Sequence, residues 1–279
     1  MSNCISSAKL TKPLKSFSAE NVMLFLAILG PGIITANVDN DAGGITTYSL
    51  AAANYGNAVL RMMIPTTIAL IVVQEMCARM GAVTGKGLSD LIRESFGVKI
   101  TFYTMIALLL TNMGNSISEF AGIAASLEIF GISKYISVPV SALFVWLLIV
   151  KGSYKTVEKV FLVACLVYLA YPIAAFMAGP KWDVVLSAAI TPTFNTDSAY
   201  LMTLIGIVGT TIAPWMQFYQ QSAVVEKGIT AEQYNFCRLD VIIGCILAIV
   251  VAFFIMVACA STIHVQGNES PRRKRTGYL

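Results

Sequence analysis

The first long apolar stretch of the sequence contains two aspartates, Asp39 and Asp41, within the segment GPGIITANVDNDAGG (residues 30–44). A carboxylate inside a membrane span is costly and by default marks an ion or proton site. Beside free backbone carbonyls it supplies the oxygen ligands that hard cations prefer, and Gly43 and Gly44 suit a turn there. We therefore predict a cation site at Asp41. The alternative is that both aspartates lie in a loop at the membrane interface.

A second apolar stretch is interrupted near its centre. In YLMTLIGIVGTTIAPWMQFYQQSAVV (residues 200–225), Pro214 follows Gly209, Thr210 and Thr211. Unwound backbone is tolerated within a membrane only where it lines a cavity or packs on protein. We therefore predict that both interruptions supply carbonyls to one site. Two ordinary proline and glycine kinks are the alternative.

The composition is that of a protein which crosses a membrane several times. Of 279 residues, 57% are hydrophobic and 12% are charged, whereas soluble domains carry about 25% charged residues. The net charge of +4 is small, which argues against nucleic-acid binding. The six cysteines show no CxxC pairing and His264 is the single histidine. We therefore expect no disulfide framework, zinc site, resident cofactor or enzymatic activity, and no obligate protein partner.

The elements that must position these residues are membrane helices of about 20 residues each. Seven spans are predicted, of which the first and sixth are broken: 21–55, 59–82, 101–130, 135–150, 157–178, 199–225 and 240–263. Residues 1–20 are predicted to form an N-terminal tail, residues 21–263 the transmembrane domain, and residues 264–279 a polar, basic tail.

Lysines and arginines in short loops set the orientation. With a cytoplasmic N-terminus, most of them fall inside, namely Arg79, Lys86, Arg93, Lys99, Lys151, Lys155, Lys159, Lys227 and Arg238, and only Lys134 and Lys181 fall outside. We therefore predict a multi-pass protein of the plasma-membrane bilayer with its N-terminus in the cytoplasm. The basic run PRRKR (residues 271–275) violates this assignment.

Broken spans five helices apart are typical of all-α, inverted-repeat transporters of the leucine-transporter type. Such folds need five spans plus five, yet only about two spans of a second repeat are present. We therefore expect a fold truncated after about seven helices, and an incomplete transporter without uptake activity of its own. A complete seven-span protein with a solvated tail is the alternative.

Four segments, in order, resemble the Nramp divalent-metal transporters. GPG, eight residues and then DAGG is similar to that family's first-span signature, in which Asp-Pro-Gly-Asn follows the same spacing. The other three are QEMCARMGAVTGKGLSDLIRESFG (residues 74–97), SEFAGIAASLEIFGI (residues 118–132) and GTTIAP (residues 209–214). The likeness covers nearly all of residues 20–263.

The resemblance implies the metal site. Asp41 falls on the family's metal-binding aspartate, and Thr210 on an alanine whose carbonyl binds metal. Gly44 stands where the family has a ligand asparagine, and Ala213 where it has a metal-binding methionine. The predicted metal set is therefore Asp41, Asn40, Ala42, Gly44, Thr210, Ala213 and Gln217, with Gln217 as a partner of ligand waters beside Gln220, Gln221 and Thr211.

These departures predict a hard substrate ion. Without a thioether sulfur the ligands are oxygens only, which suit hard ions, and Mg²⁺ keeps several waters when bound. Gly44 and Ala213 are smaller than the family's residues and leave room for a partly hydrated ion. The pattern resembles the Nramp-related magnesium transporters, so we predict Mg²⁺, with Mn²⁺ also carried.

Proton coupling is not predicted. Trp215 and Gln220 replace two histidines that the family associates with proton movement, and Ser116 replaces an aspartate of its proton pathway. Glu119 remains, either as a proton carrier or as a buried, paired carboxylate. Three alternatives stay open: a proton-coupled Mn²⁺/Fe²⁺ importer of the same family, an amino-acid permease of the same fold, and an inactive fragment.

Overall fold

The computed structural model describes residues 40–152, 160, 163–191 and 196–265, and within them every regular element is helical. The helices are α1 (Ala42–Tyr55), α2 (Met63–Thr84), α3 (Leu88–Glu128), α4 (Lys134–Lys151), α5 (Ala170–Met177), α6 (Trp182–Ile190), α7 (Ser198–Thr211), α8 (Pro214–Glu226) and α9 (Tyr234–Cys259). 3₁₀ segments at Gly56–Met62 and Cys165–Leu169 precede α2 and α5, and a π-turn at Ala260–His264 follows α9.

Within the described residues, five helical stretches are long and apolar enough to cross a membrane: Ala42–Thr84, Leu88–Glu128, Lys134–Lys151, Ser198–Glu226 and Tyr234–His264. The pair Leu166–Met177 and Trp182–Ile190, bent by 114°, makes a sixth if it is counted as one broken span. The predicted all-helical fold, with helices of membrane-spanning length and composition, is therefore confirmed within the described residues, which hold five or six of the seven predicted spans. Asp39, the first half of the predicted first span (residues 21–39), both predicted tails except residues 264–265, and the start of the predicted fifth span lie outside the described residues.

Helices α1 and α2 are joined by a turn that requires glycine. Gly56 has φ +56°, a value that side-chain-bearing residues rarely adopt. A β-carbon there would also lie 2.9 Å from the ring of His264, whose Nδ1 is 2.9 Å from the carbonyl oxygen of Ala53. The predicted tail residue His264 therefore packs against α1.

The most central helix is α9, which packs against α1, α2 and α5. In its most apolar 18-residue window 56% of the residues are buried, whereas none is buried in the corresponding window of α3. Large apolar side chains of α3 are correspondingly exposed, including Phe102, Leu109, Leu110, Met113 and Ile117. Helix α3 thus lies at the edge of the described bundle and meets α1 along a narrow face.

The predicted break in the sixth span lies between α7 and α8. Ile212 and Ala213 leave the helical conformation, and Pro214 begins α8, a position where its missing N–H costs nothing. Helix α1 packs against α7, and the Tyr48 hydroxyl lies 2.7 Å from Oγ1 of Thr211, the last residue before the break. The middle of α1 is thereby tied to the last residue before the break.

The contact between α1 and α3 depends on a missing side chain. A β-carbon on Gly122 would lie 2.6 Å from the β-carbon of Ala42, well inside the roughly 3.5–4.0 Å at which carbon atoms pack. Ala42 is the first residue of α1. Gly122 therefore sets how closely α3 approaches the start of α1.

We predict that Gly122→Ala destabilises the protein while Gly114→Ala on the same helix does not. Overpacking costs about 1–3 kcal/mol, which exceeds the roughly 1 kcal/mol that alanine gains over glycine within a helix. At Gly114 an added β-carbon meets nothing within 4 Å, so only the helix gain remains. Thermal unfolding of both variants in the same detergent measures the order. Equal midpoints for the two variants would contradict the proposed close packing.

Candidate cation site

Asp41 caps the N-terminus of α1. Its backbone is extended (φ −72°, ψ −177°), its Oδ1 accepts a 2.7 Å hydrogen bond from the Gly44 N–H, and its carbonyl accepts the Ile45 N–H at 2.8 Å. An aspartate at this position satisfies a helix N–H that otherwise has no partner and interacts favourably with the helix dipole. One carboxylate oxygen is thus committed to the helix, and Oδ2 remains for other contacts.

Helix α3 brings a second carboxylate to the same helix start. Glu119 Oε2 accepts from the Ala42 N–H at 3.4 Å, and the Glu119 and Asp41 side chains are close enough to share a hydrogen bond. Glu119 Oε1 is buried and has no hydrogen-bond partner within the described part of the chain. Two neighbouring carboxylates repel one another unless a proton or a cation lies between them.

A cavity of about 280 Å³ opens beside Asp41. One wall is α3 and the other is the break between α7 and α8. Its lining residues are Asp41, Thr111, Gly114, Asn115, Ser118, Gly209, Thr210, Ala213, Pro214 and Trp215. The cavity therefore lies between the cap of α1 and Ala213, at the break after α7.

The structure brings together part of the predicted metal set. Asp41, Thr210 and Ala213 line the cavity, and Glu119 adjoins it through its contact with Asp41. Asn40, Ala42, Gly44 and Gln217 do not line it. Gly44 is buried and contributes its N–H to Asp41, whereas Gln217 lies half-buried on α8.

The predicted carbonyl ligands at the start of α1 have other partners. The Asn40 carbonyl accepts from the Tyr168 hydroxyl at 3.1 Å, and the Ala42 carbonyl accepts from Thr46 Oγ1 at 2.7 Å. The Asn40 side chain is buried and donates to the Ala248 carbonyl at 3.1 Å. Asn40 therefore anchors the start of α1 to α9.

The polar residues predicted to hold ligand waters have other positions and partners in the structure. Thr211 is bonded to Tyr48, and Gln221 Nε2 donates to the Lys86 carbonyl at 2.8 Å, so both tie helices together. Gln220 is fully buried. Ser116 is exposed on α3, away from the cavity.

Sequence reasoning missed the polar wall on α3. Thr111, Asn115 and Ser118 all line the cavity, and Asn115 Nδ2 lies 3.4 Å from Asp41 Oδ2. The signal was present in the sequence, because these residues recur at intervals of four and three along the helix and so share one face. The prediction had considered only Ser116 and Glu119 on this helix.

The site is poor in ionisable ligands. Across the ranges that the structure describes, no three His, Cys, Asp or Glu side chains are grouped so that they could hold a metal ion together. A cation at Asp41 would therefore be held by one or two carboxylates and by neutral oxygens. Such a ligand set suits an ion that binds and leaves.

A family model described as natural resistance-associated macrophage protein-like, Nramp, matches residues 32–274 of this chain. Two similar curated proteins are both divalent metal cation transporters MntH. The one from Erwinia tasmaniensis is 28% identical over 266 residues, which cover 93% of this chain and 64% of the relative. The one from Deinococcus radiodurans is 26% identical over 268 residues, covering 92% and 61%.

The fold has a counterpart among solved structures. A crystal structure of the Eremococcus coleocola manganese transporter matches with a TM-score of 0.76 at 22% identity, covering 91% of this chain and 55% of that one. At this identity the likeness shows the helical arrangement alone. The chain spans less than two thirds of the length of each of these proteins.

Proposed function

This chain belongs to the Nramp family, and from that premise we propose that it serves the transport of divalent metal ions across a membrane, with the ion bound at Asp41. The observation that carries the proposal is the Asp41 carboxylate facing a cavity whose opposite wall is the unwound segment between α7 and α8. The names of the curated relatives, divalent metal cation transporters, support the same class of substrate.

The charge at the cavity favours a cation. Asp41 and Glu119 place two carboxylates beside it, and the other lining side chains are neutral. An amino acid would bring its own carboxylate against this charge, which argues against the permease alternative. Binding thus requires that the ion exchange some of its waters for the Asp41 oxygen and nearby neutral oxygens.

Within this proposal the favoured ion is Mg²⁺, with Mn²⁺ also accepted. Ala213 lies at the break and faces the cavity with no sulfur or nitrogen to offer, and oxygen ligands suit hard ions. Six water molecules at roughly 30 Å³ each occupy roughly 180 Å³, which is less than the 280 Å³ cavity. An ion that retains most of its hydration shell therefore fits.

We predict that Asp41→Asn abolishes measurable Mg²⁺ and Mn²⁺ binding by the purified chain. Asparagine can still cap α1, since Asn and Asp are nearly equivalent caps, so the variant removes the charge and keeps the helix start. Isothermal titration calorimetry in detergent measures the loss.

The matched comparison is Asp41→Ala, which removes charge and cap together. It should lose binding equally and also lose about 0.5–2 kcal/mol of stability. Heats of Mg²⁺ binding in Asp41→Asn equal to those of the unsubstituted chain would place the ion elsewhere.

We predict that Ala213→Met shifts preference toward softer ions. A thioether at the cavity wall offers sulfur in place of a water, which favours Cd²⁺ and Mn²⁺ over Mg²⁺. Adding Gly44→Asn should strengthen the shift if position 44 can reach the ion, although Gly44 does not line the cavity. The ratio of Cd²⁺ to Mg²⁺ affinity, measured by titration, reports the change. Ala125→Met, at an exposed position on α3, is the control. An equal affinity ratio in both variants would show that position 213 does not determine ion selectivity.

A proton-coupled Mn²⁺ or Fe²⁺ transporter is the second candidate function. The contact of Glu119 with Asp41 favours it, because a proton shared by two carboxylates would be displaced by an arriving cation. We propose uncoupled transport instead, because Trp215, Gln220 and Ser116 replace the residues that the family associates with proton movement.

Proton release on binding separates the two candidates. We predict that the Mg²⁺ binding enthalpy of the purified chain does not vary with the ionisation enthalpy of the buffer, because no proton leaves the site. A slope near one proton per ion, abolished in Glu119→Gln, would instead support the proton-coupled transporter. Glu128→Gln, at the far end of α3, is the control substitution.

A further inference from the structure

Helix α1 offers the cavity a single side-chain ligand. Of its first residues only Asp41 carries a side chain that lines the cavity, and Gly43 and Gly44 carry none. Asp41 Oδ1 is already held by the Gly44 N–H at 2.7 Å. The oxygen that faces other groups is Oδ2, and the side chain bonded to it belongs to Asn115 of α3.

Asn115 lies beside the start of α1, where Gly43 has no side chain to separate it from Asp41. A β-carbon on Gly43 would lie 3.3 Å from Asp41 Oδ1, 3.8 Å from Ser118 Oγ and 3.9 Å from Asn115 Oδ1. A β-carbon at position 43 would therefore press on Asp41 Oδ1 and come into contact with the Ser118 and Asn115 side chains. With glycine there, the carboxamide of Asn115 and the carboxylate of Asp41 face the same small space.

The contact between them is long. Asn115 Nδ2 and Asp41 Oδ2 are 3.4 Å apart, against about 2.7–2.9 Å for strong hydrogen bonds to a carboxylate. The terminal torsion of asparagine is broad and nearly two-fold, and its amide carries an acceptor oxygen opposite the donor nitrogen. A half-turn of that amide would present Oδ1 to an ion bound at Asp41 Oδ2.

Building on the proposed function, we propose that Asn115 is a cation-binding residue, whose carboxamide oxygen joins Asp41 Oδ2 in holding the divalent ion. A cation at Oδ2 repels the amide N–H and attracts the amide oxygen, so ion binding itself drives the rotation. Thr111 and Ser118 flank Asn115 on the same wall and hydrogen-bond the waters that the ion keeps. Helix α3 is then part of the binding site.

The test is Mg²⁺ and Mn²⁺ titration calorimetry on the purified chain with four variants: Asn115→Ala, Asn115→Asp, Asn112→Ala and Asp41→Asn. We expect Asn115→Ala to weaken binding by about tenfold or more, the range seen when metal-site partners are removed. Asn112→Ala makes the same change on the same helix away from the cavity lining, and it should bind as the unsubstituted chain does.

The Asn115→Asp variant distinguishes two roles for Asn115: a ligand of the ion, or a residue that only positions Asp41. As a ligand, aspartate retains the oxygen and adds charge, so Mg²⁺ affinity is kept or rises. If Asn115 acts only by donating its N–H to Asp41, aspartate lacks the donor and binding falls as far as in Asn115→Ala. Should Asn115→Ala fail to fold, this comparison with the unsubstituted chain decides the question alone.

The outcomes also separate this inference from the function on which it rests. Loss of binding in Asp41→Asn with unchanged binding in Asn115→Ala would overturn the role of Asn115 and leave the site at Asp41 standing. Equal binding by the unsubstituted chain and Asp41→Asn would overturn the proposed function itself.

Discussion

The main constraint on this structure is that α1 begins in the middle of an apolar span, where its first backbone N–H groups need hydrogen-bond partners. The first N–H groups of any helix lack partners within the helix, and away from water each unsatisfied group costs several kcal/mol. Here Asp41 accepts the Gly44 N–H, and Glu119 accepts the Ala42 N–H. Two carboxylates thus satisfy the start of α1. Their negative charge is the same charge that can attract a cation, so the device that allows the helix to start also creates the site.

This arrangement requires α3 to lie very close to α1. Glu119 reaches the Ala42 N–H only because Gly122, almost one turn further along α3, lets the backbones approach until a β-carbon would overlap that of Ala42. Asn40 fixes the other side of the helix start through the Ala248 carbonyl of α9. The buried helix α9 and the peripheral helix α3 therefore hold the start of α1 between them. Movement of α3 relative to α9 would change the spacing of the two carboxylates directly.

Much of this could be predicted from the sequence because it depends on local chemistry. A carboxylate, two glycines and a proline within apolar stretches allow few solutions, and the structure places Asp41 at a helix cap and Pro214 at a helix start. The contribution of α3 was harder to predict. Its polar wall consists of neutral residues at helical spacing. Such residues often hydrogen-bond only to the backbone of their own helix, as Thr111 Oγ1 does to the Ala107 carbonyl. Only the tertiary approach at Gly122 shows that this face meets Asp41.

The carbonyls around Asn40 illustrate the opposite case. Sequence reasoning predicted them as ligands because unwound backbone at the start of α1 should leave oxygens without partners. In the structure the Asn40 carbonyl accepts the Tyr168 hydroxyl, and the Ala42 carbonyl accepts the Thr46 hydroxyl. Each of these oxygens therefore already carries a hydrogen bond from a side-chain hydroxyl. At the break after α7, Ile212 and Ala213 leave the helix and Ala213 lines the cavity, but the Ala213 carbonyl accepts the Met216 N–H at 3.2 Å. The backbone oxygens of Asn40, Ala42 and Ala213 thus all accept hydrogen bonds already, so a cation here depends chiefly on the Asp41 carboxylate.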